Sequence, residues 1–209
     1  MNAESLLQAY QTGRRNFQHI TLGRVHLANR FLRDINLTGA KLGGADMQQI
    51  QLRDANLTGA ELDHVNLSNA DLSWANFERA DLQQANLGES SLMMANLKYA
   101  NLTGATLTEA SMGIANLQEA QLQKSDLQRA DLKEANLSQA NLKGADLRNA
   151  NLEESILCGV DLTGADLRGA NLTSADLTGA KLGSFFHKAK LKDATFHNTI
   201  MPDGRVHKN

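Results

Sequence analysis

Residues 130–154 read ADLKE ANLSQ ANLKG ADLRN ANLEE, five copies of one five-residue unit without a gap. With the central apolar residue of each unit as position i, the same frame runs unbroken from Phe17 to Leu182, through 34 centres. Thirty of these are leucine, and the other four are Phe17, Met47, Phe77 and Met112. Position i−2 is alanine in 23 of the 34 units and mostly serine, valine or isoleucine elsewhere. Beyond Leu182 the frame shortens by one residue and resumes weakly through Phe186, Leu191, Phe196 and Met201.

A period of five fits neither the 3.6 of an α-helix nor the 2.0 of a long flat strand. It does fit a unit that turns the same way each time. Residues i−2 and i, two apart, face one side as in an extended chain, and i−1, i+1 and i+2 face out. Four units closing a square make a coil of 20 residues, and stacked coils lie about 4.8 Å apart through backbone hydrogen bonds. The interior is then a column of leucines and small residues, with alanine required because close packing in a narrow section admits nothing larger. Nine of the 16 glycines, among them Gly39, Gly44, Gly59 and Gly104, fall at i+2. That is the third position of a turn, where type II geometry needs positive φ. Proline is absent from the repeats, as ladder hydrogen bonding requires. The 38 centres make a rod of about 45 Å.

Composition narrows the function classes. Only 4% of the 209 residues are aromatic, so large rings do not fill this core. The net charge is −2, with 21 basic and 23 acidic residues intermixed, which argues against a nucleic-acid partner. No run approaches the roughly 18 apolar residues that span a bilayer. The opening MNAESLLQAYQTGRRNF lacks the charged and apolar regions of a secretory signal. A single cysteine, Cys158, excludes an internal disulfide framework. These features lead to the expectation of a soluble, cytoplasmic protein with no membrane partner.

The A(D/N)LXX pattern resembles the pentapeptide repeat family from about residue 16 to residue 201. The resemblance implies an all-β fold, a right-handed quadrilateral β-helix, whose handedness the period alone does not supply. Two flanks, GRRNFQHITL at 13–22 and IMPDG at 200–204, are similar to cyanobacterial HetL-type members. That likeness implies a link to heterocyst regulation, with a transcriptional regulator of cell differentiation, or its inhibitor, as partner.

The ends of such a stack need covers. Residues 1–15 are expected to form an N-terminal cap with a short helix over 2–11, Leu6, Leu7 and Tyr10 sharing one face. Residues 16–183 form the repeat body, and 184–209 hold irregular repeats and a second cap. Arg15 and Arg30 fall in the inward i−2 register, where a charge is costly. An irregular first coil that lets them reach solvent is expected. Phe185, Phe186 and Phe196, half of the phenylalanines, gather at the C-terminal end. They read either as a simple cap or as a self-association surface for a homodimer.

Catalytic and metal constellations are not found, and neither cofactor nor metal is expected. The six histidines scatter over different faces and the terminal segments, although His187 and His197 could approach each other in the C-terminal cap. Cys158 has no basic neighbour in sequence to activate it. Asp126, Asp146 and Asp166 stack on one face and could suggest a cation site. Arg148 and Arg168, with Arg129 close by, instead suggest mutual neutralisation. No phosphate loop and no nucleophile–base pair is present, so the protein is not read as an enzyme.

Outward residues 20 apart share a stripe. Asn16, Asn36, Asn56, Asn76, Asn96, Asn116 and Asn136 occupy seven of nine i−1 slots on one face. They are read as a structural ladder of stacked amides. A second stripe, at i+2, places Trp74, Met94 and Ile114 in three adjacent coils, with Met93 beside them and Tyr99 around the corner. Asp34 and Asp54 precede this stripe, and Glu134 and Glu154 follow it. Three such side chains expose a few hundred Å², the scale at which a patch marks a binding site, and Trp and Met favour interfaces. The leading expectation is therefore a rigid protein-binding module. Its alternatives are a DNA mimic that binds a type II topoisomerase, known from another branch of the family, and a structural spacer or homodimer with no further partner.

Overall fold

The computed structural model describes residues 1–184 and 188–208. From Asn16 to Asp161 each i−1 residue pairs in parallel with the residue 20 positions on, Asn16 with Asn36, Thr21 with Lys41, and so forth to Asp161 with Lys181. The chain is thus a four-sided β-solenoid with four units per coil.

One unit shows why the repeat has this form. Leu57 N–H donates to Asn76 O (2.7 Å) and Gly59 N–H to Glu78 O (2.8 Å), both in the following coil. Asn56 N–H donates back to Ile35 O (2.9 Å), and Ala60 N–H closes the turn on Leu57 O (3.0 Å). The fifth donor, Thr58 N–H, has no backbone partner and is taken by Asn56 Oδ1 at 3.0 Å. The Asn or Asp of the motif is this acceptor, an Asx turn built into most units. At every corner from His19 to Gly179 the i+2 residue has φ between 54° and 73°, with or without glycine. This is the type II signature.

The interior is apolar and regular. Leucine centres from Leu27 to Leu172 are at most 1% exposed, and Phe17, Met47, Phe77 and Met112 are fully buried. Where serine replaces the inner alanine, its hydroxyl stays satisfied. Ser90, Ser125 and Ser155 donate to the carbonyls of Leu87, Leu122 and Leu152 at 2.7, 2.8 and 2.7 Å.

Helix α1 (Ala3–Gln11) starts with a capping box between Asn2 and Ser5. It buries Leu6 completely and packs Leu7 and Tyr10 partly against the end of the core. Tyr10 Oη donates to Arg33 O at 2.9 Å, tying the helix to the coil beneath. Arg15 and Arg30 are both exposed, despite their inward register. The Arg15 guanidinium lies 3.9 Å over the Tyr10 ring and donates to Tyr10 O.

At the other end the register differs from the sequence expectation. Asp166 pairs with Lys190, Asn171 with Thr195 and Asp176 with Ile200, all 24 apart. Leu191 therefore occupies the face directly after Leu182, and four extra residues replace the expected shortened unit centred on Phe186. A reading at period five converts that insertion into one full unit less one residue. Phe185, Phe186 and His187 lie outside the described residues. Strands β1 (Thr199–Ile200) and β2 (Val206–His207) form an antiparallel hairpin. Phe196 is half-buried against the core, with its ring 5.8 Å from that of His207. Among the described residues no helix is long and apolar enough to cross a membrane.

Replacing Asn56 by Ala should lower stability by about 1 kcal/mol, because Thr58 loses the acceptor of its N–H and of its hydroxyl. Asn56→Asp should retain most of it. Urea midpoints of the two variants check the difference.

Candidate functional site at the apolar corner

On the corner between the face of Leu72, Leu92 and Met112 and the asparagine face stand Trp74, Met94 and Ile114, one coil apart. They are 43%, 44% and 46% exposed. Their φ values are 59°, 58° and 59°. Tryptophan and methionine tolerate that conformation at a cost, but a β-branched residue there is an outlier. Among the described residues Ile114 is the sole β-branched residue with positive φ. Neither packing nor backbone preference accounts for isoleucine at this spot.

The surroundings hold the ridge in place. The Arg53 guanidinium stacks 3.8 Å over the Trp74 ring. Arg33 and Arg53 each approach Asp54 at 3.8 Å. Met93 is half-buried and fills the space that a side chain at Gly113 would need, its Sδ lying 3.0 Å from that point. Met93 is thus a filler, while Met94 faces outward. Tyr99 stands on the next corner, across the face that carries Asn96. Its ring is covered by Arg79 and Lys98, at 4.8 and 4.9 Å from the centroid.

All seven stripe asparagines turn Oδ1 to the N–H two residues on. Bonds from coil to coil on this stripe join Asn96 to Asn76 (3.0 Å) and Asn116 to Asn96 (3.3 Å). These are the same three coils as the ridge.

Two features escaped the sequence reading. Phe31, 74% exposed, sits outward at i−1 on the ridge face, two coils before Trp74. Its signal is an aromatic where the motif calls for Asn or Asp. Charge is also segregated. Residues 34–180 carry 10 basic and 20 acidic side chains (10 − 20 = −10), whereas 1–33 (5 − 1) and 181–209 (6 − 2) each carry +4.

The stacked aspartates are engaged. Arg148 forks onto Asp146 at 2.8 and 2.6 Å. Arg168 does the same to Asp166 at 2.8 and 2.7 Å, with Lys190 adding a contact at 3.3 Å. Arg129 pairs with Glu109 rather than Asp126. The Arg168 hydrogen bond, joined by the backbone N–H of Arg168 and by Lys190, holds the Asp166 carboxyl at about 2. Burial pushes the Cys158 thiol up, and Asp176 beside it adds to the effect. Among the described residues no group of three or more His, Cys, Asp or Glu is disposed to hold a metal.

The pentapeptide repeat pattern matches residues 35–73, 75–112, 115–153 and 145–183, in 8 copies. The chain is similar to the crystal structure of HetL from the cyanobacterium Nostoc sp. strain PCC 7120, described as a pentapeptide repeat protein involved in heterocyst differentiation regulation. Identity is 36%, coverage is 99% of this chain and 100% of HetL, and the TM-score is 0.64. Trypsin-treated QnrB1, a plasmid-mediated fluoroquinolone resistance protein, has 19% identity over 88% of this chain and 91% of its own, with a TM-score of 0.60. At that identity it shows the fold alone. No curated protein matches the chain.

Ile114→Gly should raise stability by about 1 kcal/mol by relieving the left-handed strain, read from a urea midpoint. A second outcome follows from the depressed carboxyl of Asp166. A group of this kind stabilises the fold above its unfolded value near 4 and loses the contribution as pH falls through about 2. Asp166→Asn should therefore flatten the decline of thermal stability between about pH 4 and 2.

Proposed function

As the chain belongs to the pentapeptide repeat family, we propose that it is a non-catalytic, rigid protein-binding module wound as a right-handed quadrilateral β-helix. Its 36% identity to HetL over nearly the whole length supports a role in regulating cyanobacterial cell differentiation. The partner in that reading is a transcriptional regulator or its inhibitor, met in the cytoplasm. The observation that carries the proposal is the ridge itself: three large apolar side chains, each more than two-fifths exposed, aligned in adjacent coils. Isoleucine is kept there against the preference of its backbone. A stiff surface of this kind loses little conformational entropy on association.

One observation favours a second reading, a DNA-like acidic rod that binds a topoisomerase. The net −10 of residues 34–180 spreads over about seven coils, or roughly 35 Å, near one charge per 3.5 Å. Duplex DNA carries one per about 1.7 Å. Half that density, interrupted by paired arginines, makes this the weaker reading.

Affinity capture from lysate of the source organism, with wild type beside Trp74→Glu/Met94→Glu, tests the choice. A defined partner should be retained by wild type through about 0.5 M salt, where screening is nearly complete, and lost from the variant with circular dichroism unchanged. Capture that ignores the substitutions and vanishes with salt would favour mimicry.

A further inference from the structure

The spacing and charge of the ridge face specify more than an apolar patch. We infer that its occupant is an amphipathic α-helix of the partner, lying parallel to the solenoid axis, with an apolar stripe against Trp74, Met94 and Ile114 and basic residues against Glu134 and Glu154. This rests on the reading of the ridge as a docking surface.

Axial spacing comes first. Coils repeat at about 4.8 Å, and an α-helix presents one face every 5.4 Å. The mismatch is about 0.6 Å per coil, so across the two intervals from Trp74 to Ile114 it reaches only about 1.2 Å. An extended strand repeats a face every 6.6 Å or so, and would drift by about 3.6 Å over the same span. Phe31, two coils before Trp74, stands roughly 10 Å along the axis, close to two helical turns. Anchors one and two turns apart are the pattern by which a helix seats in a shallow groove.

The floor beside the ridge suits apolar contact. It is built from the small groups Ser73, Ser91, Ser111 and Gly113, with Met93 lying over Gly113 and the Asp71 carboxylate, which accepts from Ser73 N–H, at its Trp74 edge. Ser73 is 6% exposed, and its hydroxyl hydrogen-bonds that of Ser91 at 2.8 Å. One of these hydroxyls donates to the other, so the pair is partly satisfied without solvent.

Charge then sets the end. Beyond Ile114 the same face and corner hold Asp131, Lys133, Glu134, Glu153 and Glu154, four acids to one base. Lys133 bonds Glu153 at 2.8 Å and reaches Glu154 at 3.8 Å. Before Trp74, by contrast, Arg33 and Arg53 are held at Asp54, and Arg53 covers the indole. The free electrostatic demand is at the Glu134–Glu154 end, and it is for Lys or Arg.

The test is a phage-displayed library of random 18-residue peptides, panned on the full chain and counter-selected on Trp74→Glu/Met94→Glu. Peptides that depend on the ridge should carry apolar residues three and four apart with Lys or Arg at one end, and gain helical circular dichroism on binding. Glu134→Lys/Glu154→Lys should weaken them tenfold or more, and less so at high salt. Ridge-dependent peptides with alternating apolar residues, or ones indifferent to the Glu134 and Glu154 reversal, would overturn the helix while leaving the ridge a docking surface. A library that yields no ridge-dependent peptide would overturn both.

Discussion

Five backbone N–H groups per unit must each find an acceptor, and only four of them can do so through the backbone. Two donate to the following coil, one to the preceding coil and one across the turn. The remaining donor, at i+1, is held by the carboxamide or carboxylate at i−1. The motif thus follows from hydrogen-bond accounting. Leucine fills the section, alanine lets it close, Asn or Asp satisfies the spare donor, and i+2 accepts positive φ. Changing any one of these positions disturbs a term that recurs in every coil.

The body of the fold was legible because each of those terms repeats. An unbroken frame over 34 units leaves few alternatives once helix and strand periods are excluded. Legibility fails where repetition does. The insertion before Lys190 is invisible to a period-five reading, because four extra residues mimic a shortened unit. The asparagine stripe was recognised, yet its main bond is local to each turn. That contact joins residues two apart and leaves no long-range mark in the sequence. Trp74, Met94 and Ile114 were found because a coil map turns sequence distance into an address. Phe31 was overlooked because it sits beside the strong centre Leu32. Charge segregation was hidden by an average of −2 in which two basic ends offset an acidic body.

Rigidity links these elements to binding. Each coil is bonded to its neighbours through every face, and the side chains between them lie close-packed. Outward residues inherit their positions from the backbone rather than from one another. The ridge needs no supporting shell beyond Arg53 and Met93, and Arg148 and Arg168 neutralise the stacked Asp146 and Asp166 on the adjoining face.

The 20-residue coil makes the molecule a ruler with interchangeable markings. Gain or loss of one coil on the C-terminal side of Ile114 shifts the hairpin end by about 4.8 Å relative to the ridge, with no rotation of the corner and no change in its neighbours. Only changes in whole coils preserve that alignment. A partner that grips both the ridge and an end would read the length of the rod in steps of one coil, and for such a partner the count of repeats would itself be a recognition element.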